Sequence, residues 1–234
     1  MLAIYKREMR AYLTSVIGYA FIALFFAVSG ALFVYTTLYS MTANVSNYFT
    51  VMLVFLVVLL PLLTMKSFSE EKKQRTEQLL MTAPVSIFGM VMAKYLAALT
   101  VFASCMVVCS LSFTVLYHYA VVKTAMLLGN LLGVLLVGSA MLAIGLFVSA
   151  LTENQLTAAV GTVGVILLFF VINLLNAVIP VYWIRFVLSA LSIFGRFQNF
   201  TQGVFDFAAL LYYLSVAAVF LFLTMRIYDR RRYR

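Results

Sequence analysis

The stretch from Lys66 to Ser86, KSFSEEKKQRTEQLLMTAPVS, decides how the chain is read. It carries seven of the 23 charged residues: Lys66, Glu70, Glu71, Lys72, Lys73, Arg75 and Glu77. On either side lie apolar runs long enough to cross a bilayer. Glu70 and Lys73 stand at i,i+3 and Glu71 and Arg75 at i,i+4, spacings that favour a helix. Past Gln78 the character changes to Leu79, Leu80 and Met81. Pro84 then disfavours helix at Ala83, so the chain turns there. A charged helix, an apolar knuckle and a proline turn predict a projecting elbow; the plainer alternative is a solvated loop with a run of charge.

Around this island the 234 residues are 65% hydrophobic and only 10% charged, with a mean hydropathy of +1.10. A soluble domain carries about 25% charged residues. So apolar a chain has no polar surface to offer water and is expected to be an integral membrane protein. At roughly 20 apolar residues per crossing, it has room for about six helices and short loops. The net charge of +9 is accounted for by basic residues on the cytosolic flanks of membrane helices, and no nucleic-acid partner is expected. Cys105 and Cys109 lie four apart on one helix face, which favours packing or lipid contact over a disulfide.

Taken in order, residues 1–13 form a basic amphipathic stretch suited to the membrane surface. The first crossing, about Val16 to Tyr39, is too long for a signal-peptide core and is expected to remain as a helix. Tyr35, Tyr39 and Tyr48 suggest an aromatic belt at the interface. The second crossing runs about Tyr48 to Met65, with Pro61 expected to kink it. Ser86 is a suitable N-cap for the third, about Ile87 to Tyr117, although Gly89 leaves the capping box incomplete. Lys94, two turns in, is expected to snorkel to the surface. The fourth crossing, about Ala125 to Leu151, carries Gly129 and Gly133 in a GxxxG spacing that permits close helix packing. The fifth spans about Leu156 to Val178, and the last about Phe207 to Met225. Between them, residues 179–206 are too interrupted to span and too apolar for a solvated loop. A pair of amphipathic or re-entrant short helices at the outer face fits best.

Basic residues set the orientation. With both termini cytosolic, thirteen of the 16 lysines and arginines fall inside: Lys6, Arg7, Arg10, Lys66, Lys72, Lys73, Arg75, Lys94, Arg226, Arg230, Arg231, Arg232 and Arg234. Lys123, Arg185 and Arg196 remain outside. The expected fold is therefore an all-α integral membrane protein of six transmembrane helices forming one domain over residues 1–234. It has an interfacial helix at 1–13, a cytosolic region at 66–89 and an outer segment at 179–206.

Catalytic patterns are missing. The sequence has no GxxxxGK[ST] phosphate loop, no HExxH and no CxxC pair. Its single histidine, His118, falls in a short outer loop, where packing is the ordinary role. The acids lie at helix ends or in loops, whereas an ion-coupled carrier usually places a carboxylate near mid-membrane. No enzyme, metal site or bound cofactor is expected.

The run EKKQRTEQLLMTAPVS from Glu71 to Ser86, followed by Lys94, resembles the signature region of type-2 ABC transporter permeases. That region commonly reads Glu, a few residues, GT, an acidic residue, LL, small residues, P-[VI]-[ST] and then GK. The chain departs from it at Arg75, where the family often has Gly, and at Ala93 ahead of Lys94. The opening KREMRAYLTSVIGYAF resembles that family's N-terminus, with Val16 where proline is common. The stretch FGRFQNFTQGVFDFAALLYYLSVAAVFLFLT is similar to the gliding-motility-type branch. The resemblance implies a permease half-transporter in a prokaryotic inner membrane, paired as a homodimer and served by two copies of a separately encoded ABC ATPase that holds the ATP and Mg. It also implies coupling to that ATPase through Glu70, Glu71, Arg75, Thr76, Glu77, Leu79, Leu80 and Pro84. An exporter is the first expectation. The alternative is a membrane anchor for an ATPase doing mechanical or assembly work without moving solute.

Overall fold

A computed structural model describes residues 1–40, 45–74, 86–114, 124–178, 183, 185, 188–189 and 192–232. Among these residues there are helices and turns and no strand. The helices are α1 (Leu2–Thr14), α2 (Val16–Phe33, continued by a π-helical turn Val34–Tyr39), α3 (Val45–Thr64), α4 (Ser69–Lys73) and α5 (Ile87–Ser110). They continue with α6 (Thr124–Leu151), α7 (Gln155–Val178), a 3₁₀ turn Gly195–Phe197, α8 (Gln198–Thr201) and α9 (Phe207–Arg232). Six segments are long and apolar enough to span a membrane, beginning at Val16, Val45, Ile87, Thr124, Gln155 and Phe207. The protein is a multi-pass membrane protein by this measure.

The bundle is built around α6. Of its most apolar window 72% is buried, against 17% for α7, and it packs on α3, α5, α7 and α9. Apolar side chains alone do not hold membrane helices together, because lipid is as apolar as leucine; close approach at small residues does. At Gly145 a Cβ would run into the Thr64 side chain of α3. Gly129 and Gly133 are packing sites as their spacing predicts, and their partner lies within the same chain. A Cβ on Gly133 would come within 2.9 Å of Phe197 and Phe200, and one on Gly129 within 3.0 Å of the Phe200 carbonyl. The GxxxG face thus seats the short helices at 195–201 on α6.

Local signals in the sequence fix several helix ends. Ser15 caps α2 by accepting from the Gly18 amide at 3.1 Å, and Ser86 caps α5 by accepting from Gly89 N at 3.1 Å. A side chain at Gly18 would collide with the Tyr12 carbonyl, so glycine is what lets α1 fold tightly back on α2. Pro61 lies inside α3, one turn before its end. The last helix runs on to Arg232, and its final turns stay packed on the bundle, with Tyr228 buried against the Phe68 ring.

Two expectations need correction. Tyr35 and Tyr39 are exposed and stacked at 6.2 Å, but Tyr48 is 1% exposed and its hydroxyl lies 2.6 Å from that of Ser29. It belongs to the core, because Ser29 on α2 meets its polar tip. Lys94 does not snorkel; its side chain turns inward, for the reason given below.

The two ends of the bundle differ. At one end lie α1, α4, the α6–α7 turn and the last turn of α9, where Arg231 donates to the Ala150 carbonyl at 3.0 Å. At the other lie the π-helical turn after α2 and the short helices at 195–201. The first and last helices therefore share an end.

Candidate functional site

The site begins with a stripe on α1. Ile4, Glu8 and Tyr12 recur at four-residue spacing and are its buried residues, the pattern of a helix face packed on a neighbour. That neighbour is α5, against which Tyr5 also donates to Thr100 Oγ1 at 3.2 Å. In the middle of the stripe stands a carboxylate. Burying it is costly unless it meets a cation and further hydrogen bonds, and Lys94 on α5 supplies the cation.

Lys94 is 1% exposed. Its ammonium has three donors, and three acceptors meet it: the Ser67 carbonyl at 2.6 Å, Glu71 Oε1 at 3.0 Å and Glu8 Oε1 at 3.3 Å. The Phe68 ring covers the group, its centroid 4.9 Å from Nζ, a cation–π contact strengthened by the absence of water. Arg7 closes the arrangement. Its Nη2 lies 2.6 Å from Glu8 Oε1 and 2.7 Å from Glu71 Oε1. The same two carboxylate oxygens thus each face both cations, giving a four-membered ring of alternating charge that sums to zero. Partial burial pulls the Arg7 pKa down, but the hydrogen bonds and charges of Glu8 and Glu71 outweigh it and the net shift is upward.

The second carboxylate of the ring is held by α4. This five-residue helix follows α3 after the turn at residues 65–68, and its first backbone N–H groups need acceptors. Ser149 of α6 provides one: its hydroxyl accepts from Phe68 N at 3.1 Å and Ser69 N at 3.2 Å. Two further contacts hold the region: Tyr12 donates to the Leu63 carbonyl near the end of α3 at 3.1 Å, and Lys72 pairs with Glu153 of the α6–α7 turn at 3.0 Å. Burial and the charge of Glu8 push the Tyr12 phenol up, which keeps it a donor. A cavity of about 340 Å³ opens beside the ring, lined by Arg7, Glu8, Lys66, Glu70, Glu71 and Lys94 among others.

Of the residues singled out by the sequence, Glu71 lies in the ring and Glu70 beside it, paired with Lys66 at 3.3 Å. Arg75, Thr76, Glu77, Leu79, Leu80 and Pro84 fall outside the described residues. The i,i+3 pairing of Glu70 with Lys73 is replaced by the pairing with Lys66. Sequence reasoning missed Arg7, Glu8, Lys94, Ser67 and Ser149. The signal was present for two of them: a carboxylate within the Ile4–Glu8–Tyr12 stripe, and a single lysine in a 24-residue apolar helix. Among the described residues no group of His, Cys, Asp and Glu could hold a metal ion. The ring presents neither a nucleophile nor an unpaired base; it joins three helices through charge. No family model matches this chain, and no curated protein matches it.

Proposed function

We propose that the chain is the membrane-spanning permease subunit of an ATP-binding-cassette exporter, worked by a separately encoded ATPase that carries the ATP and Mg. The observation behind this reading is the charge ring. A helix too polar to span, α1, is locked to α4, which leads into residues 75–85, and to the spanning helix α5 that follows them. A push delivered through residues 75–85 reaches α5 through Glu71 and Lys94 and reaches α1 through Glu71 and Arg7, so the three elements move together. Rigid elements joined by a polar network are a physical route for such coupling.

In this reading the ring end faces the cytosol, as the basic residues of α1, α4 and α9 favour. Two copies of the chain pair in a prokaryotic inner membrane, each gripped by one ATPase at Glu70, Glu71, Arg75, Thr76, Glu77, Leu79, Leu80 and Pro84. The segment around residues 179–206 is re-entrant at the outer face. The test is co-purification. The tagged chain, expressed with ABC ATPases from the same genome, is expected to retain one of them through detergent extraction. The Glu71→Ala, Arg75→Ala double variant is expected to retain less. Retention of no ATPase by the native chain overturns the proposal.

A further inference from the structure

At the end opposite the ring, two adjoining cavities share Asn173 and Gln198 in their walls. One, of about 540 Å³, is lined by Arg185, Arg196, Asn176, Ser192, Asn199 and Asp206 among others. The other, of about 610 Å³, carries Ser46, Asn47, Thr50 and Thr201 and no charged residue. Both volumes fall in the roughly 300–1,000 Å³ range of small-molecule sites. The charge in the first cavity is unbalanced. Asp206 is already engaged: Oδ1 accepts from Ala208 N at 2.9 Å and Ala209 N at 3.2 Å, and Oδ2 from Asn199 at 2.6 Å. These bonds, that from Asn199 foremost, together with the nearby charge of Arg196, hold its carboxyl below the usual range. Among the described residues no carboxylate forms an ion pair with Arg185 or Arg196.

The polar atoms left over define what fits. Arg196 stacks its guanidinium 4.2 Å from the Tyr212 ring centroid, and its Nε–H is buried without a partner, as is Asn176 Oδ1. One is a donor on a cation and the other a neutral acceptor. A buried group of either kind left unmade costs free energy. An anionic oxygen answers the first and a hydroxyl the second. Around the cavities stand exposed apolar side chains: Leu174 and Leu175 of α7, and Trp183, which is 78% exposed, as suits an aromatic residue at the headgroup level.

We propose that these two cavities bind the headgroup of an anionic phospholipid that carries hydroxyls. The phosphate sits between Arg185 and Arg196, which suit planar, forked recognition of phosphate oxygens, and the hydroxyl-bearing remainder extends past Asn176 and Asn173 into the uncharged cavity. The acyl chains lie against α7. This site stands whether or not an ATPase works the opposite end of the bundle.

Trp183 is the chain's single tryptophan, so it reports on this locality alone. The protein is placed in vesicles of unbrominated phosphatidylcholine containing either brominated-chain phosphatidylglycerol or brominated-chain phosphatidylcholine, and quenching is followed against mole fraction. Phosphatidylglycerol is expected to reach half-quenching at a roughly ten-fold lower mole fraction, the effect of one charge-assisted contact. Arg185→Gln, whose exposed side chain makes it safe for folding, and Arg196→Gln are each expected to remove most of that preference. Arg196→Lys retains part of it, and Arg226→Gln at the other end leaves it unchanged. Equal quenching by both lipids, or a preference that survives both glutamine substitutions, overturns the proposal. So does displacement of the lipid by inorganic phosphate at equal concentration, since the site then takes the free anion.

Discussion

The two ends of this bundle handle charge in opposite ways. Around Lys94, every donor of the ammonium is used, both carboxylates face two cations, and the total charge of the ring is zero. Around Arg196, a buried guanidinium N–H and a buried amide oxygen have no partner, and two arginines share a cavity whose one carboxylate is already engaged. A closed network fixes the parts that contribute to it. An open one is complete only with something added. The first end reads as a joint and the second as a receptor, and the same fold supplies both by placing small polar residues of α6 and α7 where loops and short helices need them.

The sharpest way to break this contrast is to open the ring. Lys94→Met, close in length and apolar, leaves Glu8 and Glu71 facing each other with only Arg7 between them. Removing one partner of a buried ion pair costs about 3–5 kcal/mol, so a large fall in the unfolding temperature of the detergent-solubilised protein is expected. Adding Glu8→Gln to that variant removes one uncompensated charge and is expected to restore part of the loss. A thermal midpoint unchanged by Lys94→Met shows that the ring does not hold these helices.

A smaller effect is expected from Ser149→Ala. The Phe68 and Ser69 amides lose a shared acceptor, at a cost of about 1–3 kcal/mol. The damage should be local, seen as faster amide exchange at residues 68–73 while α5 keeps its protection. Uniform acceleration across the bundle contradicts the assignment of Ser149 to the start of α4.

The smallest effect concerns Asp206, the closed charge of the open end. A carboxyl held below its usual pKa when folded adds stability above its unfolded value and loses it as pH falls through the folded value. Acidification below the ordinary Asp range, about 3.9, is therefore expected to loosen the start of α9. The Asp206→Asn variant keeps a cap but does not titrate, and its response is expected to be flatter. The readout is amide exchange at Ala208 and Ala209 across that range; identical pH responses in both proteins refute the assignment.

Much of this architecture was legible in the residues. Apolar run lengths located six spans and most of their starts, and Ser86 caps α5 as its type requires; the third crossing ends at Ser110 rather than Tyr117, and the last runs on past Met225 to Arg232. The ring was not legible, because hydrophobicity in a membrane chain does not distinguish a lipid-facing side from a packed one. Lys94, two turns from a helix start, satisfies the rule for snorkelling as well as the rule for burial, and only the position of α1 decides between them. Tyr48 was misjudged for the same reason: its partner Ser29 lies on another helix. Gly129 and Gly133 announced close packing but could not name the short helix that comes to them.

The proposed role of the ring is to transmit movement between the segment at residues 75–85 and the spanning helices. The test is ATP turnover in a reconstituted complex of this chain with the ATPase proposed to work it, comparing native protein with Glu71→Gln. That substitution leaves Lys94 bound to the Ser67 carbonyl and Glu8 but removes the negative charge by which α4 holds Lys94 and Arg7. An intact complex is expected whose turnover no longer rises on addition of transport substrate, or no longer differs from that of the ATPase alone. Native-like stimulated turnover from an intact Glu71→Gln complex contradicts it.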